Sequence, residues 1–558
     1  MANLFGIPST DLGHLLVFLV VTLAVGLSLS RWLTRSLDGP ALLPRVESAL
    51  YRFVGVNPLA QMNWRQYLGA LVTMHLVGLI FTFAILMLQG HLPYNPQKLP
   101  GLEWSLALNT AISFVTNTNW QAYSGEASLS YFSQFAALTV QNFLSAAVGI
   151  AVLATLARAL RQSAADQLGN FWVDLTRATL YVLVPLSCVW ALLLVGQGVV
   201  QTLAPYLSAT TLEGGTQLIP LGPAASQIAI KQLGTNGGGF FGVNSAHPFE
   251  NPTGLANFLE MIAILAIPVA CVDMFGRMIG NLRHGRALLI AMATIFVPLV
   301  LISLWSEFHY PLALEGKELR FGIGSSVLWS QVTTAASNGS VNAMHGSLSP
   351  LAGGLALVNM LLGEIIFGGV GSGTYGMVLY VILAIFLAGL MVGRTPEYLG
   401  KKIQATEVKW AALGIILPSA VVLLGTALSV LTESALASRA NVGPHGLSEI
   451  LYAWASAANN NGSAFAGLSA NTSFYNLGLG LAMLVGRFGV LVPVLVIAGS
   501  MAQKKSAPPS VGTFPSEGGL FITLLVGTIL IVGALTFFPV LSLGPVVEHL
   551  LMGTGKAF

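Results

Sequence analysis

The stretch QLGTNGGGFFG, residues 232–242, decides the fold, because it sets a small polar cluster between apolar residues. Three more segments end in a comparable cluster after an apolar stretch of about one short helix: LALNTAISFVTNTNW (106–120), VLWSQVTTAASNGS (327–340) and EILYAWASAANNNGS (449–463). Aligned on their Asn, the clusters read Thr116-Asn117-Thr118, Thr235-Asn236-Gly237, Ser337-Asn338-Gly339 and Asn460-Asn461-Gly462. Their regular spacing indicates a fourfold internal repeat, which determines an architecture more firmly than any single motif.

The composition is that of a membrane protein. Of the 558 residues, 54% are hydrophobic and only 8% are charged, and the mean hydropathy is +0.76. Ordinary soluble domains carry roughly 25% charged residues. Several apolar runs reach the ~20 residues needed to cross a bilayer as a helix. We predict ten spans, at residues 12–30, 67–89, 132–157, 178–200, 254–276, 287–306, 351–392, 410–432, 473–500 and 518–541.

These spans and the repeat predict an all-α polytopic membrane protein with a single membrane domain, residues 1–558. Four units of helix, pore helix, loop and helix are expected at 67–157, 178–276, 287–392 and 410–500, with one extra span at each end, 12–30 and 518–541. Segment 351–392 would be about 63 Å long as one helix, twice a bilayer core. The glycines of GGVGSG (368–373) therefore predict a broken helix, which membranes tolerate only where the break faces protein or a water-filled cavity.

The basic residues predict the orientation. Most of the 24 Lys and Arg fall in five connections, 31–66, 158–177, 277–286, 394–409 and 501–517, whereas the alternate side holds few, among them Lys231 and Lys556. By the positive-inside rule the five basic connections are cytoplasmic, and both termini are expected outside.

The four clusters have the chemistry of a cation site. Potassium gives up its hydration shell only where other oxygens replace it, and four loops around an axis can supply backbone carbonyls for this purpose. Consecutive carbonyls face inward only if ordinary and left-handed residues alternate, which Gly allows and Asn tolerates. For any single loop an ordinary external turn is the better interpretation. Four loops at equivalent places in a repeat favour the cation site.

Two of the ionisable residues within predicted spans bear on a possible ion path. Glu364 is in LLGEIIFGG, four residues before the predicted break, and Arg487 is in LVGRFGV at mid-span. Such groups are costly in lipid and usually face the interior of a helix bundle. They either pair and hold helices together or contribute to an ion path, where an Arg below the loops would repel an ion heading straight for the cytoplasm.

Nucleotide and phosphorylation motifs are missing from the sequence. It has no G-x-x-x-x-G-K-[ST] loop and no DKTGT phosphorylation stretch, and GSGTYG (371–376) lies inside a span without a preceding strand. We therefore expect no catalytic residues for ATP hydrolysis on this chain. If transport is driven by ATP, another chain hydrolyses it.

Five stretches carry a family resemblance: SFVTNTNWQAYSGE (113–126), GTNGGGFFGVNSAHPFENPT (234–253), GEIIFGGVGSGTYGM (363–377), GRTPEYLGKK (393–402) and SAANNNGSAFAGLSAN (456–471). They closely resemble the potassium-binding A subunits of the bacterial Kdp potassium-transporting ATPases, from end to end. The resemblance implies the fold of the Trk/Ktr/HKT superfamily of potassium transporters and a location in the bacterial inner membrane. It also implies that K⁺ is bound from outside and passed through an intramembrane tunnel to a P-type ATPase B subunit, which uses the ATP. A small single-span C subunit and, in some members, a short F-type subunit complete such complexes.

The resemblance also implies site residues. The selectivity filter would be formed by Thr116, Asn117, Thr118, Asn119, Thr235, Asn236, Gly237, Gly238, Ser337, Asn338, Gly339, Asn460, Asn461 and Gly462. Gln121 would lie just above the first loop. Glu364 and Arg487 would lie where the ion leaves the vestibule, with Gly369 and Gly371 in the broken helix on the ion path. One position departs from the family pattern, because Gly346 in AMHGS (343–347) stands where Asp is commoner. This removes a carboxylate near the outer mouth.

An alternative function fits the four loops equally well on physical grounds. A self-sufficient potassium channel or symporter of the same superfamily needs the same filter, and only the sequence-specific resemblance disfavours it. A membrane-embedded enzyme with an incidental pore-like repeat is a weaker alternative, because no nucleophile, metal or nucleotide motif supports it.

Overall fold

The computed structural model describes residues 3–4, 6–310, 314–393, 395–508 and 514–554. Arg394 and Lys556, which entered the orientation argument, lie outside the described residues. Within these ranges ten helices are long and apolar enough to cross a membrane. The prediction of an all-α polytopic protein is confirmed, and three two-stranded hairpins are the sheet structure among the described residues.

The helices follow one another in a repeating order of long, short and long. We number them α1 Ser9–Asp38, α2 Pro44–Val54, α3 Trp64–Leu88, α4 Trp104–Val115, α5 Ser133–Arg161, α6 Phe171–Gly196, α7 Ala224–Leu233, α8 Gly254–Met278, α9 Leu282–His309, α10 Gly322–Ala335, α11 Pro350–Leu361, α12 Ser372–Val392, α13 Ala405–Leu431, α14 Gly443–Ala458, α15 Ser473–Gln503 and α16 Gly519–Leu541. A last short helix, α17, covers Val547–Met552.

Four short helices, α4, α7, α10 and α14, are the pore helices of the repeat. Each lies between two spanning segments, of which the one after α10 is broken into α11 and α12, and each is almost wholly buried. An unpaired backbone group in lipid is costly, so short helices that stop inside the protein need polar partners at their ends. The sequence supplies these partners in the four polar clusters.

Burial separates inner helices from outer ones. In α5 and α8 more than four-fifths of the most apolar 18-residue stretch is buried. In α1, α6, α13 and α16 about a third or less of the corresponding stretch is buried. The outer helices expose Leu, Val and Ile side chains, as α1 does at Leu16, Val17 and Val20. Because lipid is as apolar as these side chains, the exposed surfaces are typical of a lipid boundary.

The broken helix is present, but the break begins earlier than predicted. Helix α11 ends at Leu361 and α12 begins at Ser372, so that residues 362–371 form an irregular segment. Gly363, Gly368 and Gly371 have positive φ there, as does Glu364 (φ 50°). Glu364 therefore lies inside the break, and the prediction that it precedes the break is wrong. The early start is explained by Gly363 (φ 85°), which ends the helix before the glycine cluster is reached.

Candidate functional site: a ring of four loops above a buried cavity

The four loops that follow the pore helices share one backbone conformation. In each loop the first and third residues have positive φ and the second does not: Asn117 (67°) and Asn119 (57°), Thr235 (49°) and Gly237 (79°), Ser337 (53°) and Gly339 (88°), Asn460 (59°) and Gly462 (96°). The alternation of left-handed and ordinary residues turns successive carbonyl groups toward the same side. Gly and Asn hold all but two of the eight left-handed positions, which is the tolerance expected from their side chains.

This shared geometry corrects the register of the first loop. The second N–H of every loop bonds to the carbonyl five residues earlier, which pairs Thr118 with Ser113 (2.9 Å), Asn236 with Lys231 (2.8 Å), Asn338 with Thr333 (3.0 Å) and Asn461 with Ser456 (2.8 Å). Thr118, and not Asn117, is therefore equivalent to Asn236. The sequence alignment on a shared Asn is wrong at this loop by one residue. Thr116 lies at the end of α4, where its hydroxyl bonds to the carbonyl of Ile112 (2.9 Å).

The loops contact one another in cyclic order. Asn117 Nδ2 donates to the carbonyl of Thr235 (2.9 Å), Asn338 Nδ2 to that of Lys231 (3.1 Å) and Asn461 Nδ2 to that of Thr333 (3.1 Å). Asn460 Nδ2 donates to Thr118 Oγ1 (2.9 Å), which joins the fourth loop to the first. We call these loop residues, 117–119, 235–237, 337–339 and 460–462, the ring.

Three glycines let the loops approach closely. A Cβ at Gly237 would lie 1.7 Å from the carbonyl oxygen of Asn338, and one at Gly339 would lie 2.3 Å from that of Asn461. A Cβ at Gly462 would lie 1.9 Å from the carbonyl oxygen of Thr118. No side chain fits at these distances, so the glycines are required by contact as well as by backbone conformation.

The second carbonyl of each loop has no hydrogen-bond donor among the described residues, although the residues that carry these carbonyls are buried: Thr118, Asn236, Asn338 and Asn461. Buried carbonyl oxygens are almost always paired, because an unpaired polar group in the interior costs free energy. The four oxygens come one from each loop. An oxygen-seeking cation bound among them would supply the missing partner.

Polar groups behind the ring hold it in place. Ser145 on α5 donates to Asn117 Oδ1 (2.7 Å), and Asn119 Nδ2 donates to Asn142 Oδ1 on the same helix (2.6 Å). Behind the second loop, Asn244 Nδ2 donates to the carbonyl of Gly237 (2.8 Å), and the buried ammonium of Lys231 donates to Asn244 Oδ1 (2.7 Å). The ring is therefore supported by side chains rather than by loop conformation alone.

Lys231 is also paired with Glu250, and both side chains are completely buried. Glu250 Oε1 accepts the N–H groups of Phe240 and Phe241 in the glycine-rich stretch. From the sequence, Lys231 was counted as a charge on an external connection, and its position as a buried support of the second loop was not predicted. The signal was a Lys as the one charged residue of the short helix AASQIAIKQL, 224–233. For Asn142 and Ser145 it was the polar residues of QNFLS in an apolar span.

A cavity of about 80 Å³ lies next to the first residues of three loops, Asn117, Ser337 and Asn460. Glu364 and Arg487 both line it, and both are nearly buried. Arg487 Nη2 donates to the carbonyl of Ser145 (2.8 Å), whereas neither carboxylate oxygen of Glu364 has a hydrogen-bond partner among the described residues. The two ionisable side chains therefore share one cavity without forming an ion pair within the described structure.

Residues of α12, α13 and α15 also line the cavity, among them Tyr380, Pro418 and Val490. The break passes beside the ring: the N–H of Val370 donates to Thr235 Oγ1 (3.0 Å), and a Cβ at Gly369 would lie 3.4 Å from that of Ser337. At Gly371 a Cβ would lie 2.1 Å from the carbonyl oxygen of Gly149 on α5. Gly371 is thus needed for close approach, whereas the distance from Gly369 to Ser337 is that of an ordinary contact.

The remaining predicted residues lie at the edge of the ring. A Cβ at Gly238 would contact that of Asn119 at 3.0 Å, so Gly238 joins the second loop to the first. Gln121 is partly exposed and its amide lies 3.4 Å from the hydroxyl of Tyr123. Gly346 donates its N–H to the carbonyl of Phe465 beside the fourth loop (2.6 Å). The structure brings the ring residues and the two charged residues together, and it leaves Thr116 and Gln121 outside the ring.

Comparisons with known proteins agree with this architecture. Residues 15–550 match the family described as "Potassium-transporting ATPase A subunit". The chain is 57% identical over 564 residues to a "Potassium-transporting ATPase potassium-binding subunit" from Pseudomonas putida, covering 98% of this chain and 100% of that protein. A subunit of the same name from Leptospira interrogans is 56% identical over 520 residues, covering 92% of this chain and 93% of that protein.

A solved structure of the potassium transporter TrkH from Vibrio parahaemolyticus is similar in fold. The TM-score is 0.50 at 14% sequence identity, and the match covers 75% of this chain and 82% of that one. At this identity the likeness concerns the fold alone.

Proposed function

The chain belongs to the potassium-transporting ATPase A subunit family, and from this membership we propose that it is the potassium-binding and translocating subunit of a high-affinity, ATP-driven uptake complex. K⁺ enters from the extracytoplasmic side, binds in the ring and leaves through the cavity toward a partner subunit in the membrane. The four buried, unpaired carbonyl oxygens at Thr118, Asn236, Asn338 and Asn461 carry this proposal.

The ring suits a dehydrated monovalent cation for three reasons. Its free ligands are neutral oxygens, which replace the hydration shell of K⁺ without adding a net charge. The pore helices end directly at the loops, so that their partly negative C-termini lie beside the ring. The Asn side chains bond to neighbouring loops and fix the spacing of the oxygens.

The cavity supports a sideways exit. Arg487 near the ring places a positive charge below the bound ion, which opposes passage straight through the protein. Glu364, whose two oxygens have no partner among the described residues, offers carboxyl ligands on the same side. The lining residues from α12, α13 and α15 direct the exit between helices, toward a P-type B subunit that hydrolyses the ATP. A small C subunit and a short F-type subunit are the further proposed partners.

We place the protein in the bacterial inner membrane with both termini outside. The connections that hold most of the Lys and Arg would then face the cytoplasm, as the positive-inside rule requires. Lys231 does not weigh against this orientation, because it is buried against Glu250 and does not act as a loop charge.

The test is potassium-stimulated ATP hydrolysis by material that co-purifies with the chain in mild detergent. Gly237→Asp puts a Cβ 1.7 Å from a ring carbonyl, so we expect the half-saturating K⁺ concentration to rise at least about tenfold. The matched control is Gly214→Asp, which has the same left-handed conformation (φ 82°) in an exposed hairpin with nothing within 4 Å of a Cβ.

The outcomes separate the proposals. Equal potassium dependence in Gly237→Asp and Gly214→Asp would show that the ring does not bind the transported ion. If no ATPase co-purifies and the chain alone carries Rb⁺ into liposomes, the protein is a self-sufficient channel or symporter. In that case the ring proposal stands and the partner proposal fails.

A further inference from the structure

A second cavity, largely open to the surface, is lined by three arginines. It measures about 530 Å³ and is bounded by Arg31, Thr34 and Arg35 of α1 and by Arg277, Gly280 and Leu282 at the turn from α8 to α9. None of these residues belongs to the ring or lines the cavity beside it. We call this site the basic pocket, and we propose that it binds the phosphate group of an anionic membrane phospholipid.

The arginines of the basic pocket are only partly neutralised by the protein. Arg31 and Arg35 are exposed, and their guanidinium groups have no hydrogen bond or ion pair to any described residue. Arg277 is held through Nε, which donates to Asp273 (2.7 Å) and to Ser30 (3.2 Å). Its two Nη atoms have no partner within the described part of the chain. Asp273 is thus already bonded to Ser30 and Arg277. The guanidinium groups of Arg31 and Arg35 and the two Nη atoms of Arg277 remain available to a ligand.

Guanidinium groups match the ligand proposed. Each presents a planar fork of donors that bonds two oxygens of one phosphate, and charge-assisted bonds of this kind are stronger than neutral ones. The first residue of α9, Leu282, lies at the pocket edge, so the positive end of that helix reinforces the attraction. A phosphate group satisfies the charge and the hydrogen bonds at once.

The depth of the pocket indicates a lipid as the source of the phosphate. The apolar run of α1 covers residues 12–30, about 28 Å at 1.5 Å per residue, which is close to the thickness of the hydrocarbon core. Arg31 follows this run directly and Arg35 is one turn further, at the depth of the headgroup layer. Val17 and Val20, exposed on α1, lie on the same helix face as the two arginines because of the helical period. Acyl chains would cover that face.

The rigid packing of α1 on α8 keeps the pocket open. A Cβ at Gly26 would lie 2.5 Å from Val269 Cγ1, so the two helices touch closely just before the pocket. The hydroxyl of Ser30 donates to Asp273 (2.6 Å), which ties the two walls together at its base. The pocket is therefore formed before a lipid arrives.

The test is lipid binding by the full chain, purified with its co-purifying subunits and followed by native mass spectrometry. Phosphatidylglycerol and phosphatidylethanolamine are titrated separately, and inorganic phosphate is the probe for a soluble anion. We expect one phosphatidylglycerol to be retained more strongly than phosphatidylethanolamine. Arg31→Gln/Arg35→Gln should weaken that binding roughly 25-fold, from about fivefold for each charge removed near the headgroups.

Matched variants distinguish a specific phosphate site from a general effect of positive charge. Arg45→Gln/Arg52→Gln removes two exposed arginines of α2 that do not line the pocket and should leave binding unchanged. Arg31→Lys/Arg35→Lys keeps the charge but loses the planar fork, so it should bind several-fold more weakly than wild type and more strongly than the Gln pair. Equal lipid retention in all variants would overturn the proposal. It would also be overturned if inorganic phosphate displaced the lipid at millimolar concentration, since that result indicates a soluble anion site.

Discussion

The ring and the cavity beside it are built on opposite principles. In the ring the four second-position N–H groups and all the Asn amide nitrogens are hydrogen-bonded, and the free groups are neutral carbonyl oxygens. In the cavity two ionisable side chains line the same space as Asn117, Ser337 and Asn460 of the ring, and both oxygens of Glu364 lack a partner among the described residues. These bonds hold the ring in one arrangement, as the proposed role in ion selection requires. The cavity retains an ionisable group without a partner, which suits the proposed step in which an ion arrives and leaves.

The largest effect should come from removing the support of the ring. Lys231→Met leaves the buried Glu250 without its partner, which costs about 3–5 kcal/mol of stability when a buried pair is broken on one side. Thermal unfolding of the purified protein measures the loss. The control is Arg161→Gln, whose pair with Asp38 is partly exposed and contributes ~0–1 kcal/mol. Equal losses in both variants would mean that the ring does not depend on the buried pair.

A direct disturbance of the ring should come next. Gly462→Ala places a Cβ 1.9 Å from the carbonyl oxygen of Thr118 at a left-handed residue, and strain of about 1–3 kcal/mol should raise the half-saturating K⁺ concentration between about fivefold and 150-fold. Gly55→Ala shares the left-handed conformation (φ 70°) but has nothing within 4 Å, so its potassium dependence should match wild type. Potassium-stimulated ATP hydrolysis measures both. An unchanged potassium dependence in Gly462→Ala would refute the close contact.

A change in the cavity should separate binding from transfer. Glu364→Gln keeps the side-chain shape and removes the charge, so the ring should bind K⁺ with a half-saturating concentration within about threefold of wild type. The maximal rate of potassium-stimulated hydrolysis should fall several-fold, because the exit path loses its negative group. Glu433→Gln, an exposed glutamate beyond α13, is the control. If the variant changes affinity and leaves the maximal rate intact, Glu364 belongs to the binding site instead.

The smallest effect concerns the N-terminal end of the pore helix α14. His445 Nδ1 and Glu548 Oε1 lie 2.7 Å apart. Burial lowers the pKa of His445, but the hydrogen bond and charge of Glu548, with the charge of Glu449, outweigh it and leave the pKa above 6.5. This stabilisation is fully present below pH 6.5 and is lost as pH rises through the folded pKa.

The contribution should be about 1 kcal/mol or less. Unfolding temperatures of wild type between pH 6 and 8.5 should therefore fall slightly more steeply than those of Glu548→Gln. Parallel curves for the two proteins would contradict the assignment.

The sequence predicted the helices well and the contacts between loops poorly. Spans and pore helices follow from runs of apolar residues and from the repeat, which are local properties, and the all-α membrane fold is confirmed. The predicted register of the first loop was based on residue type alone, because Asn117 was aligned with the Asn of the other three loops. Backbone conformation instead groups Asn119 with three glycines, because Asn also tolerates the left-handed region.

Partners distant in sequence could not be predicted at all. The bond from Asn460 to Thr118 joins residues in the fourth and first loops, and Arg487 bonds to Ser145 on α5. Such pairs depend on how the helices pack, which periodicity does not reveal. The ring and cavity residues as an ion path remain a prediction, which the variants above test.

The single chain has a consequence for how such a site can evolve. In a channel of four identical subunits, one mutation alters every quarter of the filter at once. Here each quarter is encoded separately, so Asn119 could replace the glycine of the other three loops while Gly237, Gly339 and Gly462 kept the contacts around the ring. A repeat within one chain thus allows the four loops of a binding site to become chemically different one at a time. No intermediate form then has all four loops altered together.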